Sequence, residues 1–285
     1  MLTKTSLVVA LLTATVGCSG AVVNVGADPQ DAGNGDGGSA ADGSLPSGPL
    51  VILHVRATEA AFPQTDGFAS QTARNEKIGI SGLSLLTSPT DPSPLKVYEG
   101  PSVEAGLNDK DDTVVGRVSA KSLKGGTYSF ARVPVTHVRY TVAGTYHASG
   151  LSAPGDFIDV VVFSDGTTLD GQTRNQGWFS ATFTTAGMTF GPATGTNPIP
   201  SIDAGGFKLV TAGGQAYYEF AIAPLIVDPD VTKDVNVIFE VNTNLDFHWQ
   251  DLPNTGYATN VFDVEMATYE PVKKFGANSF RIFYE

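Results

Sequence analysis

Val235-Asn-Val-Ile-Phe-Glu-Val-Asn242 alternates: Val235, Val237, Phe239 and Val241 fall on one side, with Asn236, Glu240 and Asn242 on the other. Successive side chains of an extended chain point to opposite faces, so the octet reads as a strand with one apolar face. The segment 137–142 repeats the pattern, Val138, Tyr140 and Val142 opposing His137, Arg139 and Thr141. Outward from these two, short apolar runs punctuated by Gly, Pro, Asn and Asp predict strands at 50–56, 77–86, 95–98, 113–118, 127–147 and 157–163. Further strands are predicted at 178–185, 207–211, 215–222, 235–242, 245–249, 258–266 and 278–284. No window longer than about ten residues sustains a helical stripe. The fold expected is all-β, an antiparallel β-sandwich built as one body or as two abutting β subdomains.

Composition agrees. The 285 residues are 41% hydrophobic and only 16% charged, with 32 Gly and 17 Pro, which suits strands and turns rather than surface helices. Seventeen Lys+Arg against 29 Asp+Glu leave a net charge of −12. Such a balance offers no basic footprint for phosphates and argues against nucleic acid as a partner.

The first eighteen residues carry an address. Lys4 precedes an uncharged run, Leu7 to Val16, too short to span a bilayer and of the length of a signal-peptide apolar core. Thr15-Val16-Gly17-Cys18 then resembles the lipobox of bacterial lipoproteins, with Thr15 where Leu is usual. That resemblance implies removal of residues 1–17, acylation of Cys18 and a membrane anchor made of lipid. Ser19 in place of Asp implies, by the same resemblance, sorting to the outer membrane. Cys18 is the only cysteine, so a lipidated chain has no disulfide and no His₂Cys copper site. Residues 18–48 hold Gly, Ala, Ser and Asp with no aromatic, and predict a flexible tether with an end-to-end distance of about 30 Å. The body is expected as a sandwich over 49–190, a Gly/Pro/Thr-rich loop or seam at 191–206, and a second subdomain or the completion of the same sandwich over 207–285.

Leu123-Lys-Gly-Gly-Thr-Tyr128, leading into an alternating strand after Ile78–Leu86, resembles the strand entry of transthyretin-like and Ig-like modules in surface lipoproteins. It implies a fold class and no activity.

Motifs with built-in chemistry are missing: no G-x-S-x-G, no H-E-x-x-H, no phosphate-binding loop and no dinucleotide fingerprint. Four histidines (His54, His137, His147 and His248) would hold a transition metal only if three of them met, and His137 and His147 are placed across a hairpin near Ala143-Gly144. Asn108-Asp-Lys-Asp-Asp-Thr113 offers Asp109, Asp111 and Asp112 as calcium ligands, but without an EF-hand's glycine and distal Glu it also reads as a solvated turn. Phe247-His-Trp-Gln-Asp251 is the most distinctive constellation. Trp249, His248 and Asp251, with Trp178 and Tyr257, would stack and hydrogen-bond a sugar; alternatively Phe247 and Trp249 fill the core. The function expected is a non-enzymatic envelope lipoprotein that binds a partner protein or polysaccharide. A carbohydrate-active or metal-binding lipoprotein is the alternative.

Overall fold

The computed structural model describes residues 48–285 apart from positions 149, 200, 201, 205, 255, 266 and 267. The segments expected as a signal peptide and a tether, with Cys18 between them, lie outside the described residues as far as residue 47. The chain runs β1 (Leu50–Thr58), β2 (Ala69–Gln71), β3 (Arg74–Leu86), β4 (Leu95–Gly106), β5 (Asp112–Ser119) and β6 (Gly126–Ala148). Next come β7 (Leu151–Val162), β8 (Thr167–Leu169), β9 (Gln172–Arg174), β10 (Trp178–Thr185), β11 (Met188–Thr196), β12 (Ile202–Ala204) and β13 (Phe207–Ala212). The remainder is β14 (Gln215–Val227), β15 (Val235–Asn242), β16 (Phe247–Trp249), β17 (Asp263–Glu265), β18 (Thr268–Tyr269), β19 (Val272–Lys274) and β20 (Ser279–Tyr284). One short 3-10 turn, Ala120–Ser122, is the only helical piece among the described residues. The fold is all-β and sandwich-like, as the alternating runs require.

β6 is the spine. Its 23 residues keep β3 along one edge, while the other edge pairs first with β14 and then with β7. Between Val135 and Val138 the strand carries one residue more than β3 does between Ile80 and Ile78. That bulge switches the buried parity from Ala131, Val133 and Val135 to Val138, Tyr140 and Val142. Entry into β6 is closed locally, Tyr128 donating its hydroxyl to the Lys124 carbonyl at 3.1 Å.

The eleven-stranded sheet around β6 faces a four-stranded sheet of order β20-β15-β1-β5. Aromatics interlock across the gap: Phe220 of β14 lies 5.9 Å from Phe239 of β15, and Phe207 of β13 lies 4.7 Å from Phe280 of β20. Each such pair is worth about 0.5–1.5 kcal/mol beyond the area it buries. A three-stranded sheet, β19-β16-β2, packs its Phe247 against Tyr140 of the spine.

Two details refine the expected architecture. The pairing is antiparallel except that β1–β15 and β6–β17 are parallel. These partners are far apart in sequence, so no hairpin dictates their direction. The stretch 191–206 is not simply loop, because β11 runs through Thr196 and β12 follows. β11 is an edge strand with most of its residues exposed, where Gly, Thr and Pro need no packing partner. Strands on both sides of this stretch share the two large sheets, β14 beside β6 and β15 beside β1.

Candidate functional site

β6, β7 and β10 and the segment from Tyr269 through β19 to Phe275 line a cavity of about 280 Å³. Its buried floor is Tyr140, Asp159 and Phe163; half-buried Phe179, Tyr269 and Phe275 form its walls, and Asn197 and Lys273 stand exposed at its margin. The volume lies just under the range usual for small-molecule sites, and rings with a few convergent polar groups are the usual lining of one. Tyr140 and Asp159 are direct cross-strand partners, so their side chains share a face.

Asp159 is 5% exposed. Its Oδ2 accepts the Tyr140 hydroxyl at 3.0 Å, while Oδ1 has no partner. Burial pushes its carboxyl up to about 7, against the lowering effect of the Tyr140 hydroxyl and the neighbouring Val160 backbone N–H. Burial, then the nearby Asp159 charge, pushes Tyr140 well above a free tyrosine and Tyr269 up to about 12. Near neutrality Asp159 therefore passes between an acid that donates and a carboxylate that accepts. Lys274, lowered by burial, gives a hydrogen to Asn278 Oδ1 at 2.7 Å.

The residues singled out in the sequence are not gathered here. Trp249 is 1% exposed, packed on Phe247 and edge-on to Phe262, so it is core and offers no stacking face. His248, on the other face of β16, is equally buried, with Nδ1 2.6 Å from Asp66 Oδ2 but out of line for a hydrogen bond. Asp251 accepts from the Asn260 backbone N–H at 2.9 Å. Trp178 carries the Arg174 guanidinium 4.2 Å above its ring and, next to Phe179 on β10, points away from the cavity. Tyr257 stacks on His147 with ring centres 4.9 Å apart.

The four histidines stand against four different carboxylates: His54 with Asp112, His137 with Glu104, His147 with Asp263 and His248 with Asp66. His137 and His147 share β6 rather than facing across a hairpin, because the chain reverses between Ala148 and Leu151, where Gly150 has φ +79°. In the acidic turn, Asp111 Oδ2 accepts from the Asn108 backbone and side-chain amides, both at 3.0 Å. Asp109 accepts from the Glu59 N–H, and Asp112 binds His54 and Arg56. Among the described residues no group of three or more His, Cys, Asp or Glu is arranged to hold a metal ion.

Asp159 carried a signal in the sequence: in Phe157–Phe163 it occupies the parity of Phe157 and Phe163, a charge where alternation calls for an apolar residue. Glu76 does the same beside Ile78 and Ile80. It is fully buried against Asp246, whose two oxygens accept from Ala73 N–H at 3.2 Å and Gly276 N–H at 3.1 Å. Burial, then the Asp246 charge, holds Glu76 well above a free glutamate, so this pair keeps a proton. No family model, no curated protein and no solved structure matches the chain.

Proposed function

We propose that the protein is a cell-envelope lipoprotein, anchored at the outer membrane through Cys18, whose β-sandwich body binds an envelope polysaccharide in the Asp159 cavity. One observation carries the binding reading: Asp159, a buried carboxyl with one unpartnered oxygen, lines a cavity walled by aromatic rings. An unsatisfied buried acceptor costs about 1–3 kcal/mol, which a ligand hydroxyl would recover. Rings supply faces for the apolar sides of a sugar, and Asn197 supplies further hydrogen bonds at the margin. The anchor reading rests on the lipobox-like Thr15–Cys18; among the described residues no helix is long and apolar enough to cross a membrane.

Calorimetric titration of the purified protein with envelope oligosaccharides tests the site. Asp159→Ala and Phe179→Ala are each expected to weaken binding about tenfold or more, the value of one good hydrogen bond or stacked ring. Binding that is absent, or indifferent to both changes, sinks the cavity reading. Cys18→Ala should move the protein from the membrane to the soluble fraction; retention after a high-salt wash would contradict the anchor.

A further inference from the structure

Away from the cavity, at the far end of the β6–β7 ladder, three side chains line up across neighbouring strands. Ser152 on β7 is the cross-strand partner of His147 on β6, and β17 runs parallel along the opposite edge of β6 with Asp263 beside Thr145. Ser152 Oγ lies 2.9 Å from His147 Nδ1, and His147 Nε2 lies 2.6 Å from Asp263 Oδ1. A nucleophile within hydrogen-bond reach of a base, itself oriented by a third group, is the arrangement that activates serine, whatever fold presents it.

From this geometry we propose that Ser152, His147 and Asp263 form a hydrolytic centre acting on small carboxylic esters. Asp263 is fully buried, and its Oδ1 holds the imidazole proton on Nε2, leaving the Nδ1 lone pair toward the serine. Tyr257 stacks on one face of the imidazole and is fixed in turn by a 2.8 Å hydrogen bond from its hydroxyl to Glu265 Oε1, which limits rotation of the base. Ser152 is exposed and sits beside Leu151, 75% exposed at the hairpin end, so a substrate reaches the hydroxyl from solvent. Such an open site suits a short acyl group rather than a long chain. In the first step the Oγ–C bond forms, the ester C–O bond breaks, and the serine proton passes through His147 to the departing alkoxide. In the second, water attacks the acyl carbon and gives a proton to His147, the acyl C–Oγ bond breaks, and His147 passes that proton to Ser152 Oγ as the acid leaves.

The test uses the full chain and a fluorophosphonate probe, which forms an Oγ–P bond, expels fluoride and leaves the serine proton on His147. Peptide mapping is expected to find the adduct on Ser152. Ser152→Ala, a change at an exposed position, should abolish it without moving the thermal midpoint. His147→Gln should slow labelling by about 100-fold or more, the usual worth of a positioned base. Asp263 is a positioning residue: Asp263→Asn should slow labelling, and Asp263→Glu should restore part of the rate. No adduct on the wild-type chain, an adduct elsewhere, or labelling undiminished in His147→Gln overturns the proposal. None of these outcomes bears on the Asp159 cavity, whose Tyr140 and Asp159 stand seven residues along β6 and β7, about 23 Å from this row.

Discussion

Tyr140 and Asp159 face each other across the β6–β7 ladder, and the 3.0 Å hydrogen bond between them leaves one oxygen of the buried carboxyl unpartnered. A β-ladder sets such a pair at short range, but nothing in a ladder requires a carboxylate on its buried face. Keeping one there costs stability once it ionises. That cost makes Asp159 the most readily tested residue in the molecule.

The protonated form of Asp159 is favoured by folding, with the carboxyl moved from 3.8 to about 7. Its contribution is fully present below pH ~4, the unfolded value, and is lost as pH rises through about 7, on the order of 4 kcal/mol in all. Asp159→Asn is expected to flatten this part of the profile. Thermal midpoints of wild type and variant, measured from pH 4 to 8, should therefore converge at the acid end and separate toward pH 8. Parallel curves would place the titration elsewhere.

Glu76→Gln should raise stability at pH 8. The wild-type carboxyl, held well above 4.5 by burial and by Asp246, must keep its proton in the fold while the unfolded chain gives it up as pH rises, whereas glutamine carries no charge and donates an N–H toward Asp246 at any pH. A gain of about 1–2 kcal/mol corresponds to roughly 2–8 °C in midpoint for a domain of this size. Near pH 4, where the proton is retained by both folded and unfolded chains, the gain should vanish. Equal midpoints at pH 8 would contradict the buried-pair reading.

Trp249→Ala should cost about 3–5 kcal/mol, because the indole packs between Phe247 and Phe262 and its removal leaves a cavity. Urea unfolding measures this directly. A near-neutral effect would mean that the ring is exposed in solution.

Millimolar calcium, or its removal by chelator, should leave the melting curve unchanged. Asp111 caps its own turn, Asp112 is held by His54 and Arg56 at 2.6 and 3.0 Å, and Lys110 lies 3.4 Å from Asp109. A calcium-dependent rise of several degrees would show that these carboxylates exchange their present partners for the ion.

Much of this was legible from local pattern. The octet 235–242 formed β15 over the residues that its alternation marks, and the run 127–147 became β6 with one residue added at each end. Period-2 alternation follows from the pleat of a single extended chain, so one sequence suffices to read it. Asp159 falls in an apolar slot of the strand expected at 157–163, a signal the sequence reading passed over, whereas Glu76 lies one residue before the strand expected at 77–86 and joins β3 only in the structure. Alternation says which residues share a face, not what that face meets. Trp249 and Phe247 were correctly paired, yet only the stacking of β16 on the spine decided that they lie in the core rather than in a groove. The position of the β6–β7 turn, and with it the meeting of His147 and Ser152, depended on Gly150 rather than on Ala143-Gly144. Asp263 reaches His147 from 116 residues away along a parallel pairing that no short-range signal announces. Fold class is set by local sterics and hydrophobic period, which each segment carries within itself. The Asp159 cavity and the Ser152–His147–Asp263 row arise from strand register and sheet packing, properties of several distant segments at once, and only the tertiary structure decides them.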